Sequence, residues 1–470
     1  MSDADRPISL SNSSRVSLSG AAYLNPVGNA ITSQPKIGSE RTEALPHFAQ
    51  LDSLRALAVS GVLIHHFLPA SIRIAPWGAM GVKLFFVLSG FLITGILLKC
   101  KEIAETTEQS IGFTLRRFYI RRFLRIFPLF YFVLLFVAII NISPARETFF
   151  WHAAYLSNVY ITKTGNWPGS LSPFWTLAVE EQFYLVWPWV ILYTPKRYLL
   201  KLVFLVILTA PVFRLTIALL ELNFSNWAVL PFACLDTLGL GALLALMSDN
   251  DFAQSCHRQI FLKIALYIGV PMLLVELSLY YLKRGEMWQF ITFDMAMGLS
   301  CVWLIANAAK GFTGVSGKLL QFKPLLYMGT ISYGIYIYHS FISVVVDWIL
   351  SLLKQRLVLV ASLAATLVFI SFIGLIASKR FQRFLKNKAL LKPLFYLGGY
   401  SLLMNLLIYV AMKARLLSLQ HMNTSIYFIL SCTFAIATAT VSWEFFEKPV
   451  NNLKERFSYQ EESKDISKAL

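Results

Sequence analysis

Charged residues are scarce in this sequence. Only 14% of its 470 residues are Asp, Glu, Lys or Arg, whereas 57% are hydrophobic. Soluble globular chains carry about 25% charged and roughly 45–50% apolar residues, so this chain has more apolar surface than a soluble fold of its length can bury. The same composition excludes a disordered chain and a coiled coil. It indicates an all-α polytopic integral membrane protein.

Cysteine is also sparse. The five residues are scattered without CxxC spacing, mostly in or beside apolar segments: Cys100, Cys234, Cys256, Cys301 and Cys432. This spacing excludes a disulfide scaffold and offers no set of metal ligands. We therefore expect neither a metal nor a bound cofactor.

Acidic residues are outnumbered by basic ones, 25 to 42, which gives a formal net charge of +17. The basic residues lie in short loops between apolar segments, so a charge bias of cytoplasmic loops explains them better than nucleic-acid binding. The densest group, between the second and third apolar segments, contains Arg116, Arg117, Arg121, Arg122 and Arg125. This bias predicts a multi-pass protein of the inner cell membrane with both termini in the cytoplasm.

About twelve apolar segments are long enough to cross ~30 Å of hydrocarbon as helices. They lie near 51–68, 79–98, 126–143, 174–193, 199–220, 229–247, 261–281, 288–309, 325–350, 356–377, 394–412 and 425–446. Residues 1–50 are rich in Ser, Asn, Pro and Gly and predict a disordered cytoplasmic tail without a secretory signal. Residues 51–456 form the predicted transmembrane domain, and 457–470 form a second cytoplasmic tail.

Two ionisable residues mark the first segment. Arg55 and His66 are eleven positions apart, which is three helical turns, so they share one face about 16 Å apart along the axis. Asp52 lies one turn before Arg55 and can pair with it. A snorkelling arginine and a hydrogen-bonded core histidine are the structural alternatives. We favour a functional pair, because ionisable groups inside a membrane are costly.

Further polar residues are expected in the outer half of the membrane. Glu180 and Glu181 lie in a segment that enters from outside, near the expected depth of His66, where a carboxylate could orient the imidazole. Ser332, Tyr336 and His339 follow one another at i, i+4 and i+7. We predict a buried polar chamber, with an ion-paired structural network as the alternative. Together with Asp52 and His339, the further residues of this predicted chamber are Ser89, Arg214, Asp236 and Glu447.

Arg122 and Arg125 precede the third segment on the predicted cytoplasmic side. Two guanidinium groups at i and i+3 can bind a phosphate bidentately. Anionic lipid headgroups would also suit them.

Six ordered segments give the sequence a resemblance to a known family. They are DSLRA with HHF in the first apolar segment, GVKLFFVLSGFLIT at 81–94, RRFLRIFP at 121–128, WTLAVEEQFY at 175–184, ISYGIYIYH at 331–339 and FEKP at 446–449. The sequence is identified as a member of acyltransferase family three of integral membrane proteins, which includes O-acetylases of bacterial surface polysaccharides. The likeness runs from about 51 to 456.

The resemblance implies an O-acyltransferase. Its donor would be cytosolic acyl-CoA, with acetyl as the expected acyl group, and its acceptor a hydroxyl of a surface polysaccharide or glycolipid at the lipid bilayer. It assigns essential roles to Arg55 and His66, and donor binding to Arg122 and Arg125.

In the expected mechanism His66 is the general base for the acceptor hydroxyl, oriented by Glu180 or Glu181. Arg55 stabilises negative charge on the donor phosphates or on the thioester oxygen. An acyl-histidine intermediate that carries the group across is an alternative. The rival function is a transporter or flippase of lipid-linked sugars, in which the same chamber is a substrate path.

The sequence departs from the family in its number of spans. Family members usually have ten, and we interpret the surplus as an extra helix pair. KPLLYMGTIS at 323–332 resembles KPLFYLGGYS at 392–401, which suggests a duplicated pair, with chance similarity as the alternative. No soluble esterase-like domain follows Pro449, so we expect the membrane core and outer loops to bind the acceptor.

Overall fold

The computed structural model describes residues 49–249, 255–352 and 422–459, and every regular element in these ranges is a helix. The predicted all-α class is therefore confirmed for this part of the chain. The longer helices are α1 (Ala49–Phe67), α2 (Trp77–Thr106), α3 (Ile111–Ile139), α6 (Phe174–Tyr193), α7 (Lys196–Leu219), α9 (Leu235–Ser248), α11 (Val270–Tyr281), α12 (Glu286–Lys310), α15 (Ser332–Leu352) and α16 (Met422–Ser442). The shorter helices are α4 (Phe149–Ala153), α5 (Ser157–Thr164), α8 (Phe224–Trp227), α10 (Ser255–Ile264), α13 (Gly314–Leu320), α14 (Lys323–Thr330) and α17 (Lys448–Asn452).

Several of these helices are long and apolar enough to cross a membrane. Among the described residues 6 helices meet both conditions, or up to 7 when a bent pair is counted as one span. Helices α1, α6 and α9 are not among these helices, because each is either too short or contains too many polar residues. The prediction of twelve spans stays a prediction, because the segments at 356–377 and 394–412 lie outside the described residues, as do 1–48 and 460–470.

Helix α2 forms the centre of the bundle. Of its most apolar stretch 72% is buried, whereas the corresponding stretch of α7 is only 33% buried. Its tightest neighbour is α9, where a Cβ added at Gly90 would overlap the carbonyl oxygen of Leu238 and one at Gly241 would overlap that of Val87. Small residues let the two backbones approach this closely, as is common between membrane helices.

Helices α14 and α15 form a bent pair rather than one continuous span. Their axes differ by 74°, and Ile331 separates them. The predicted span at 325–350 is corrected accordingly. A Cβ at Gly329 of α14 would overlap the carbonyl oxygen of Asp52, so α14 packs directly on the first turn of α1. Helix α15 continues along α1 and α16.

Candidate active site

Helix α1 carries charged or titratable residues at both ends. Arg55 forms an ion pair with Asp52 one turn earlier, as their spacing predicts. His65 and His66 occupy the last turn. Two groups of side chains meet these ends. We call them the arginine cluster, which consists of Asp52, Arg55, Arg122 and Arg125, and the histidine cluster, which consists of His65, His66, Arg73 and His339.

The histidine cluster brings together two rings that the sequence separates widely. The ring centroids of His66 and His339 are 4.7 Å apart, at an interplanar angle of 61°. His66 is exposed and has no hydrogen-bond partner among the described residues, whereas His339 is fully buried. Nδ1 of His339 lies 2.6 Å from the carbonyl oxygen of Tyr336 and therefore donates its hydrogen to it. Nε2 of His339 is left with a lone pair and has no partner in the described part of the chain.

Arg73 completes the histidine cluster from the loop after α1. Its Nη1 lies 2.7 Å from Nδ1 of His65 and donates to the carbonyl oxygen of His65 at 3.0 Å. Because a guanidinium only donates, Nδ1 of His65 accepts and the ring hydrogen sits on Nε2. Sequence reasoning missed Arg73, and the only signal was its place in a short loop that returns to the same helix end.

The arginine cluster joins the first turns of α1 to the middle of α3. The guanidinium of Arg122 lies 4.6 Å from the ring centroid of Tyr184. Arg125 interacts electrostatically with Arg55, Arg122 and Asp52. Arg125 is exposed and Arg122 partly so, and neither forms a hydrogen bond within the described residues. Three guanidinium groups thus come together from α1 and α3, an arrangement suited to a phosphate-bearing ligand.

Ser89, Tyr184 and Glu180 form a hydrogen-bonded group between α2 and α6. The hydroxyl of Ser89 donates to Glu180 Oε1 at 3.0 Å, and the phenol of Tyr184 donates to the hydroxyl of Ser89 at 2.9 Å. Glu180 and Glu181 both interact electrostatically with Arg122. These carboxylates therefore face the arginine cluster.

The expectation that Glu180 or Glu181 orients His66 is corrected by this arrangement. The charged and titratable groups that act on His66 are His339, His65 and Arg73, and neither carboxylate is among them. The physical reason is the depth at which α6 begins. Thr176 in its first turn already meets the phenol of Tyr336 at 2.6 Å, so the acids one turn further lie beyond the histidine cluster.

Arg214 and Asp236 belong to a separate ion-paired network. Arg214 contacts Asp236 at 2.5 Å and Asp294 at 3.2 Å, and Lys83 contacts Asp294 at 2.5 Å. The network joins α2, α7, α9 and α12 and pairs two cations with two anions. These contacts fit the ion-paired structural network that was the alternative to a polar chamber, and none of them involves His66 or His339. Asp294 was missed, although a carboxylate within an apolar segment was the available signal.

Glu447 turns inward near the arginine cluster. It is buried, accepts a hydrogen bond from the hydroxyl of Ser442 at 2.8 Å and interacts electrostatically with Arg125. The π-helical turn Trp443–Glu447 precedes α17 and places the carboxylate there.

The segment after α17 packs on Arg117 and Arg121 of α3. Arg121 donates to the carbonyl oxygens of Lys454 at 2.8 Å and Phe457 at 3.1 Å, and its guanidinium lies 5.0 Å from the ring centroid of Tyr459. Burial raises the pKa of the Tyr459 phenol to about 12, so this ring is neutral beside Arg121. The described chain just beyond the predicted domain boundary at 456 is thus in contact with α3, and the boundary itself stays a prediction.

No metal centre emerges in the described ranges. Within 49–249, 255–352 and 422–459, no three His, Cys, Asp or Glu side chains are grouped so that they could hold a metal ion. The exposed imidazole of His66 suits proton transfer or nucleophilic attack, and the arginine cluster suits an anion.

Known proteins share this sequence over most of its length. The chain is 30% identical over 314 residues to the peptidoglycan O-acetyltransferase OatA of Listeria monocytogenes, covering 62% of this chain and 48% of that protein. It is 29% identical over 334 residues to the putative peptidoglycan O-acetyltransferase YrhL of Bacillus subtilis, covering 64% and 49%. It is 29% identical over 319 residues to the O-acetyltransferase OatA of Staphylococcus aureus, covering 63% and 51%.

The chain thus spans about half the length of the curated relatives it matches. No solved structure matches it. The model of the acyltransferase domain matches residues 48–374, a range that contains both ends of α1, the arginines of α3 and His339. As its six sequence segments predict, the chain belongs to acyltransferase family three, and the relatives named above are O-acetyltransferases.

Proposed function

We propose that this chain transfers an acetyl group from acyl-CoA to a hydroxyl of a cell-wall polysaccharide. The observation that carries the proposal is the division of polar groups between the two ends of α1. A cluster of guanidinium groups lies at Arg55, and an exposed imidazole lies at His66. The printed names of the relatives favour peptidoglycan as the acceptor. The bias of basic loops supports an orientation with Arg55 and both termini on the cytoplasmic side of the cell membrane.

In this mechanism Arg55, Arg122 and Arg125 bind the phosphates of the donor. Glu180 and Glu181 act through Arg122 as positioning residues, since both carboxylates interact with it. The interaction of Arg55 with Arg125 supports a role of Arg55 at the donor phosphates rather than at an oxyanion near His66. Charge-assisted contacts of this kind are the strongest that side chains offer a phosphate.

His66 is the general base at the other end. Its imidazole takes the proton of the acceptor hydroxyl as the oxygen forms a bond to the acyl carbon, and the carbon–sulfur bond of the thioester breaks. The thiolate that leaves then takes the proton from His66. In the alternative route through an acyl-histidine, a nitrogen of His66 attacks the acyl carbon first, the carbon–sulfur bond breaks, and the thiolate leaves with the proton of the imidazole ring. The acceptor hydroxyl then attacks the acyl carbon, the carbon–nitrogen bond breaks, and the hydroxyl proton returns to the imidazole.

The test uses purified chain in lipid with radiolabelled acetyl-CoA and peptidoglycan fragments. We expect label in the glycan from the wild-type chain and none from His66→Ala. Omitting the glycan distinguishes the two mechanisms, because only the route through an acyl-histidine leaves label on the protein. A chain that neither binds nor consumes acetyl-CoA contradicts the proposal and favours a transporter of lipid-linked sugars.

A further inference from the structure

An imidazole can act as a base only if one of its nitrogens is free of hydrogen and faces the substrate. The other nitrogen then carries the hydrogen, and a hydrogen-bond acceptor behind it fixes that tautomer. His66 has no hydrogen-bond partner among the described residues. No backbone or carboxylate group within the described residues therefore determines which nitrogen of His66 is free of hydrogen.

His339 offers the acceptor that His66 requires. Its Nδ1 is committed as a donor to the carbonyl oxygen of Tyr336, so Nε2 holds the lone pair. This Nε2 is buried and has no partner within the described ranges, although an unpaired buried acceptor costs about 1–3 kcal/mol. The ring of His66 is in edge contact with the ring that carries it.

Tyr336, whose carbonyl oxygen accepts from His339, is itself held by contacts of its phenol with α6. The phenol of Tyr336 lies 2.6 Å from the hydroxyl of Thr176 and donates to the carbonyl oxygen of Pro173 at 3.1 Å. These contacts attach the turn of α15 that contains Tyr336 to the start of α6. The carbonyl that fixes the tautomer of His339 is therefore itself fixed in place.

We propose that His339 is the positioning residue for His66: its Nε2 accepts the N–H of the His66 imidazole and leaves the other nitrogen of His66 free for the acceptor hydroxyl. Catalytic hydrogen bonds are often long in ligand-free sites and tighten in the substrate complex. His339 stays neutral throughout and exchanges no proton with substrate. The inference rests on the proposed function, because it concerns the same base.

Two substitutions separate this role from a structural one. In His339→Asn the amide nitrogen takes the place of Nδ1 and keeps the bond to the carbonyl of Tyr336, but nothing replaces Nε2. In His339→Gln the longer side chain places its amide oxygen near the position of Nε2. Tyr338→Phe is the matched control, since the Tyr338 phenol bonds to Ser442 on the neighbouring helix and not to either histidine.

The measurement is the steady-state rate of acetyl transfer, with kcat and KM for both substrates. We expect His339→Asn to lower kcat about 100-fold with KM values within about twofold of wild type, the scale of a lost acid–base contribution. We expect His339→Gln to recover at least a tenth of the wild-type kcat, and Tyr338→Phe to match wild type. Thermal unfolding of each variant in detergent verifies that it is folded.

The outcomes distinguish this inference from the proposed function. If wild type transfers acetyl and His339→Asn is as active as, or more active than, His339→Gln, His339 is a packing residue and the inference is overturned. If kcat is unchanged and only KM rises, His339 contacts substrate instead of His66, which also overturns it. If wild type consumes no acetyl-CoA, the proposed function fails, and the inference fails with it.

Discussion

The guanidinium of Arg122 lies over the ring of Tyr184, with 4.6 Å between its central carbon and the ring centroid. The same phenol donates to Ser89, whose hydroxyl donates to Glu180. Arg122 is therefore held by an aromatic face and by nearby carboxylates while its N–H donors carry no hydrogen bond in the described chain. A guanidinium held in this way is preorganised for an incoming anion.

Replacing both Arg122 and Arg125 with Ala should weaken donor binding and spare acceptor binding. Each charge-assisted hydrogen bond lost is worth about 1.5–3 kcal/mol. Calorimetry with acetyl-CoA measures the effect. Arg116→Ala is the matched control on the same helix, because Arg116 is exposed and should leave donor affinity unchanged. If the wild type and the double variant bind acetyl-CoA with equal affinity, Arg122 and Arg125 do not bind the donor and serve only membrane topology.

His66→Ala should abolish acetyl transfer with little loss of stability, because this side chain is exposed and contributes little packing. His65→Ala should retain partial activity. It removes the ring that accepts from Arg73, but it leaves His66 and His339 in contact. Transfer rates and thermal unfolding in detergent are the measurements. Equal loss of activity in the two folded variants would contradict the assignment of chemistry to His66.

Asp294→Asn should destabilise the fold while the rate per folded molecule is retained. Asp294 neutralises both Lys83 and Arg214, and removing one partner of a buried ion pair costs about 3–5 kcal/mol. Thermal unfolding measures the loss. Glu105→Gln is the control, since the Glu105–Lys196 pair is solvent-exposed and such pairs are worth about 0–1 kcal/mol. If Asp294→Asn is stable but inactive, the ion-paired network takes part in the reaction and is not merely structural.

Gly90→Ala should destabilise the contact between α2 and α9, because the added Cβ overlaps the backbone of α9 at Leu238. Overpacking of this kind costs about 1–3 kcal/mol. Gly95→Ala in the same helix meets nothing within 4 Å and should be neutral. Unfolding midpoints of the two variants are compared. Equal midpoints would show that the backbones of α2 and α9 can separate without cost.

Features set by local spacing could be predicted from the sequence. The pairing of Asp52 with Arg55 follows from their separation of one helical turn. The shared face of Ser332, Tyr336 and His339 follows from helical periodicity, and all three are buried. Helix type and the start of most spans follow from apolar length.

Features that depend on depth in the bundle or on contacts between distant segments could not be predicted from the sequence. The position of Glu180 beside Arg122 depends on how deep the loop before α6 enters the bundle, which apolar length does not reveal. Arg73 has no periodic relation to His65, and only the return of the loop joins them. The bend at Ile331 lies within a segment that apolar length predicts as one span, and it occurs where Gly329 packs on Asp52.

The bent pair α14–α15 touches α1 at both ends, at Asp52 through Gly329 and at His66 through His339. A piston-like shift of α1 would have to break both contacts together, and both are made by one neighbouring pair of helices. Arg55 and His66 lie about 16 Å apart along the axis of α1, and the regular rise of this one helix sets that distance. Under the proposed function, a donor whose phosphates are bound at Arg55 spans that distance with the flexible arm that carries its acyl group. The length of this arm, rather than a movement of α1, then determines which donors bring their acyl group to His66.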